Sequence, residues 1–110
     1  MPDDGFLEYV LDQLSDLPGL RARAMFGGHG LYLGDRFFAI IFRSRLFFRT
    51  DDATRPEYRK RGSKPFRVSV KVTLKTYCEV PTDVLENRDE AVRWARASVA
   101  AASAAAAARR

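Results

Sequence analysis

The sequence predicts an α+β fold, a two-layer sandwich with one antiparallel sheet of five to six strands and helices on one face. Three observations predict it. Helical periodicity bounds the chain at both ends, and two-residue alternation broken by tight turns fills most of the middle. With 110 residues at 46% apolar content there is material for one core and no more. The expected element order is α-β-β-β-(β)-α-β-β-α.

The first helix is expected over about Asp4 to Leu17. Phe6, Val10, Leu14 and Leu17 recur at spacings of four, four and three, with Leu7 and Leu11 widening the stripe. Asp3 or Asp4 suits its cap, its remaining acids face outward, and Pro18-Gly19 ends it. Arg21, Arg23 and Met25 then alternate with Ala22, Ala24 and Phe26, as in a half-buried strand. Gly27-Gly28-His29-Gly30 is expected to break that strand before a short one at Leu31 to Leu33. Gly34-Asp35 and Arg43-Ser44 are hairpin turns flanking Arg36 to Phe42, and Arg45 to Arg49 completes a meander.

The strand RFFAIIF is apolar on both faces. Simple alternation sends Phe37, Ala39 and Ile41 one way and Phe38, Ile40 and Phe42 the other. Such a strand is either covered on both sides or leaves one face for a partner chain. Phe37, Phe38, Ile40 and Phe42, with Leu46 and Phe48, are therefore the candidate protein interface.

A short helix follows, with Pro56 in its first turn and Gly62 at its end, then strands over about Arg67 to Val70 and Leu74 to Val80. Residues 70–74 lack a Gly or Asp turn, so a different or longer connection is expected there. Pro81 stops the second strand, Thr82 or Asp83 opens one helical turn, and Asn87 caps a last helix running from Arg88 beyond Ala100. Ala91, Trp94, Ala95, Ser98 and Val99 form its inner face. The expected domain covers 1–102, with an alanine-rich tail at 103–110 whose helix propensity lets the helix run on.

The net charge of +5 is polarised. Residues 1–20 hold five acids and no base, whereas residues 21–67 hold ten arginines and two lysines against four acids. A basic middle attracts polyanions, or pairs with the acidic N-terminal segment inside the fold. The candidate polyanion-binding set is Arg36, Arg43, Arg45, Arg49, Arg55, Lys60, Arg61, Lys64 and Arg67. Arginines interleaved with Phe47 and Phe48 resemble a base-stacking strand, but Phe37 stands where the RNA-recognition motif has glycine.

No catalytic, cofactor-binding or metal-ligating residue is assigned. One histidine, His29, and one cysteine, Cys78, make neither a metal site nor a disulfide framework. His29 reads as a turn residue and Cys78 as a buried strand residue. Asp51-Asp52 and Asp89-Glu90 lie at helix entrances, where acids serve structure. The glycine-rich run joins strand to strand, so it lacks the helix N-terminus that a phosphate loop needs. The acidic N-terminus and lack of a long apolar run predict a cytoplasmic, membrane-free protein.

Met25-Phe26-Gly27-Gly28 with Gly30, the basic helix ending at Gly62, Pro65-Phe66 and Glu79-Val80-Pro81 together resemble the N-terminal domain of the TfoX/Sxy competence regulators. The resemblance covers about residues 6–101 and implies a two-layer α+β domain without catalytic residues. Longer members of that family carry a second, helical domain and act as transcriptional co-activators alongside the cyclic-AMP receptor protein. The chain is accordingly expected to be a stand-alone, non-enzymatic regulatory domain. Its expected partner is a protein, a second copy included, with direct nucleic-acid binding as the alternative and no cofactor, membrane or small-molecule substrate indicated.

Overall fold

The computed structural model describes residues 2–25 and 27–108, with side chains from Gly5 onward. Phe26, Arg109 and Arg110 lie outside the described residues, as do the side chains of Asp3 and Asp4 expected at the first cap. The elements are α1 (Pro2–Gln13), β1 (Leu20–Met25), β2 (Gly28–Leu33), β3 (Arg36–Phe42), β4 (Arg45–Arg49), α2 (Arg55–Lys60), β5 (Pro65–Arg67), β6 (Thr73–Glu79), α3 (Thr82–Glu86) and α4 (Arg88–Ala108). The α+β architecture holds, with six antiparallel strands in the order β1-β2-β3-β4-β6-β5.

The helices bury their apolar stripes on one face of the sheet. Val10, Leu14 and Leu17 from the α1 segment, Val84 and Leu85 from α3, and Ala91, Trp94 and Ala95 from α4 join Leu31, Ala39, Ile41, Leu46, Phe48 and Cys78 in the main core. Small residues on α4 bring it against β3, where Ala39 is fully buried. The α4 helix runs unbroken past position 102 to Ala108. At its start the Asn87 side chain accepts the Glu90 N–H at 3.1 Å. Gly62, at φ 76°, closes α2 while its N–H donates to the Arg59 carbonyl and the Ser63 N–H to that of Tyr58.

Three local expectations are corrected. The glycine run does not break the strand, because β2 begins at Gly28 and includes His29 and Gly30, leaving His29 half-buried in a strand rather than in a turn. A Cβ on Gly28 would collide with the Ile41 carbonyl, so glycine there permits close approach of β2 to β3. The first strand of the second hairpin lies earlier than expected, at Pro65–Arg67. Residues 68–72 form an exposed turn in which Val70 is 85% accessible, so the alternating valines mark no strand.

The third correction concerns β3. The register with β2 slips between Leu31/Ala39 and Tyr32/Phe37, leaving Phe38 as the extra residue of a β-bulge. Strict alternation therefore fails. Phe38 turns to the helix side with Ala39 and Ile41, while Phe37, Ile40 and Phe42 share the opposite face. The buried Ser98 hydroxyl of α4 donates to the Phe38 carbonyl at 2.9 Å, satisfying an acceptor at the bulge.

Candidate functional site

The helix-free face carries a second cluster made of strand residues, with Ile40, Phe47, Phe66 and Tyr77 buried and Phe37, Phe42 and Leu74 partly so. Phe42 on β3 and Phe66 on β5 are separated by two intervening strands, about 14 Å across a flat sheet. Their ring centroids are nevertheless 5.5 Å apart, and Phe47 lies 4.6 Å from Phe66. The sheet curls and its side chains lean inward, which closes this face on itself. Phe66 is 1% exposed as a result.

That closure corrects the candidate protein interface. Phe38, Leu46 and Phe48 sit in the main core between sheet and helices, and Ile40 is sealed in the second cluster. Only Phe37 and Phe42 keep partial exposure. The apolar surplus of β3 is consumed within the chain.

What remains accessible is a groove of about 420 Å³ at one end of the curled face. Phe42, Phe47 and Phe66 line it, and four cations border it, namely Arg43, Arg45, Lys64 and Arg67. Local sequence places each of them. Arg43 occupies the two-residue turn between β3 and β4, where φ is 52° at Arg43 and 59° at Ser44. Its guanidinium carbon lies 5.1 Å from the Phe42 ring centroid. Arg45 opens β4 and approaches Glu79 of β6 at 3.8 Å, an exposed pair of little stabilising value. Lys64 accepts the Glu79 N–H on its carbonyl at 3.0 Å, which holds it at the groove border. Arg67 turns partly back, donating to the carbonyls of Ser69 and Val70.

The other five predicted cations lie elsewhere. Arg36 is half-buried opposite Leu33, and Arg49 lies 5.6 Å from the Tyr77 ring centroid. Arg55 pairs with Asp52 at 3.0 Å, and Arg61 pairs with Asp83 at 2.9 Å and sits over Trp94. Lys60 is exposed on α2. The basic middle is therefore not one surface. Nor does the N-terminal helix neutralise it through Asp12, which pairs with Arg88 at 3.2 Å. Arg21 and Arg23, outside the predicted set, extend the basic character of the sheet over Tyr32.

Reactive side chains are engaged structurally. Burial pushes the Cys78 thiol up, the wrong direction for a nucleophile at neutral pH. Burial likewise raises the Tyr58 phenol. The backbone N–H of Thr54 chiefly holds Asp51 below the usual carboxylate range, with Ala53 donating to the same oxygen. Arg93 does the same for Glu90 through a 2.7 Å hydrogen bond. Sequence reasoning missed Phe66 and Glu79 as groove residues, since both reach the site through the β4-β6-β5 order. The Pro65-Phe66 pair was the available signal.

The family model of the TfoX N-terminal domain matches residues 12–102, a span holding every groove residue. The chain belongs to the TfoX N-terminal domain family. No curated protein matches it. Membership supports a competence-related regulatory role for this TfoX N-terminal domain. Among the described residues, no helix is long and apolar enough to cross a membrane.

Proposed function

We propose that this TfoX N-terminal domain is a non-enzymatic regulatory module that acts by binding an acidic segment of a protein partner along the basic groove. The observation carrying this reading is the convergence of Arg43, Arg45, Lys64 and Arg67 on one groove with an aromatic floor. Guanidinium groups pair well with carboxylates, while half-buried Phe42 offers apolar contact beside them. A second copy of the chain is one such partner, because Glu8 of α1 and Asp16 just beyond it are exposed. The structural use of Asp51, Cys78 and Glu90 supports a binding role rather than catalysis.

Direct nucleic-acid binding is the second reading, favoured by Arg21, Arg23 and Arg49, which lie over Tyr32 and Tyr77 on the same curled sheet. Capture from the native cell with and without nuclease separates the two. The protein reading expects a partner that survives nuclease and is lost from the Arg43→Glu/Lys64→Glu variant. Capture unaffected by those substitutions sinks the groove. Capture abolished by nuclease, with affinity falling steeply in salt, establishes the second reading instead.

A further inference from the structure

The two edges of the sheet are built differently. At β5 the edge is blunt, because the strand has three residues, opens on Pro65 and slips register against β6. At the other edge β1 runs six residues without proline or bulge, and among the described residues β2 is its one strand neighbour. The Gly34 N–H donates to the Gly19 carbonyl at 3.2 Å, which sets the alternation of the β1–β2 ladder. Arg21 and Arg23 therefore turn their backbone groups toward Tyr32 and Gly30, while Ala22 and Ala24 turn theirs outward. Among the described residues, no hydrogen bond reaches those outward N–H and C=O groups. Ala22 is half-buried and Ala24 is exposed, so the row is accessible.

We infer that β1 binds an extended acidic segment of a partner protein, which joins the six-stranded sheet as a further strand with carboxylates opposite Arg21 and Arg23. The backbone row supplies the hydrogen bonds, and the two arginines supply the choice of side chains. Both lie by Tyr32 on the helix-free face. In an added antiparallel strand they stand in the non-hydrogen-bonded pairs, where opposed side chains come closest. The Arg23 guanidinium is 6.0 Å from the Tyr32 ring centroid and has no ion pair among the described residues. Arg21 donates to the Gly34 carbonyl and approaches Asp35 at 3.8 Å, an exposed contact of little stabilising value. The partner's intervening residues face the helix side, where Ala22 packs on the main core, and small apolar side chains suit them. A second copy of the chain fits poorly here. Antiparallel pairing of β1 with its twin, centred on Arg21, Ala22 or Arg23, sets arginine against arginine on one face. This edge is separate from the basic groove and does not depend on it.

The probe is a fluorescein-labelled peptide of about six residues that alternates glutamate with valine, followed by anisotropy. It is titrated into the full chain carrying Arg43→Glu/Lys64→Glu, so that the groove does not contribute. Saturable binding is expected, weakened at least about tenfold by Arg23→Glu and by Ala24→Pro. Ala24→Pro removes an outward N–H and no β1–β2 bond. A peptide N-methylated on the amides that face β1 is expected not to bind, a comparison that holds even if Ala24→Pro fails to fold. Amide exchange at Ala22 and Ala24 slows in the complex. The inference is overturned by the absence of saturable binding, by binding unchanged in Ala24→Pro, or by equal binding of the N-methylated peptide. Self-association abolished by Ala24→Pro gives the edge to a second copy and overturns it likewise. Oligothymidylate that binds in place of the peptide, lost in Arg23→Glu and intact in Ala24→Pro, assigns the arginines to nucleic acid instead. Each of these failures leaves the groove reading standing.

Discussion

Ser98 shows how a single side chain holds the fold's one irregularity in place. Its hydroxyl, 1% exposed, donates across 60 positions to the carbonyl of the bulged Phe38. Ser98→Ala leaves that acceptor unmet, and the expected loss is about 1–3 kcal/mol in urea unfolding. Asp51 acts at a different kind of weak point. It accepts N–H groups from Ala53 and Thr54 ahead of α2, and its carboxyl is held below 3.8. A depressed folded-state value stabilises above the unfolded one, and that contribution is lost as pH falls through the folded value. Asp51→Asn keeps the accepting oxygen but cannot titrate, so its stability is expected to fall less steeply below about pH 4 than that of the wild type. Asp51→Ala, which loses the oxygen, costs about 1 kcal/mol near neutral pH.

The β3–β4 hairpin carries strain where the groove begins. Both turn residues, Arg43 and Ser44, have positive φ, although the sequence supplies neither Asn nor Gly there. Left-handed backbone costs ordinary residues about 1–2 kcal/mol, and strain of this kind concentrates at functional positions. Replacing the pair with Asn-Gly is expected to raise stability by roughly 1 kcal/mol while weakening partner capture, since Arg43 leaves the groove. A variant that is more stable and captures the partner equally well would remove Arg43 from the site. The turn itself was legible, because a two-residue gap between RFFAIIF and RLFFR allows no other connection. Element positions failed where local pattern misleads. Gly28 and Gly30 read as a break but are strand residues, as close backbone packing against β3 requires at Gly28. Val68, Val70 and Val72 read as a strand but cross an exposed turn, because β5 stops pairing at Arg67↔Thr73.

At the scale of the molecule, one sheet serves two cores. The helices cover one face, and the curl of the sheet closes the other around Phe66. Phe66→Ala removes the residue that bridges Phe42 and Phe47, and a loss of about 3–5 kcal/mol is expected, with increased binding of an apolar dye as the face opens. A loss below about 1 kcal/mol would show that the second cluster adds little. The order of the elements, the turns on either side of β3, the inner face of α4 and the apolarity of β3 on both sides are legible in the sequence. These depend on periodicity and turn chemistry, which act over a few residues. Tertiary structure alone decided what covers the second face of β3 and which cations meet. A one-residue bulge reverses the direction of Phe37 and Phe38 without leaving a mark in the alternation. The crossover that seats β6 beside β4 then brings Lys64 and Arg67 to Arg43 and Arg45, a meeting set by strand order and curl rather than by spacing along the chain.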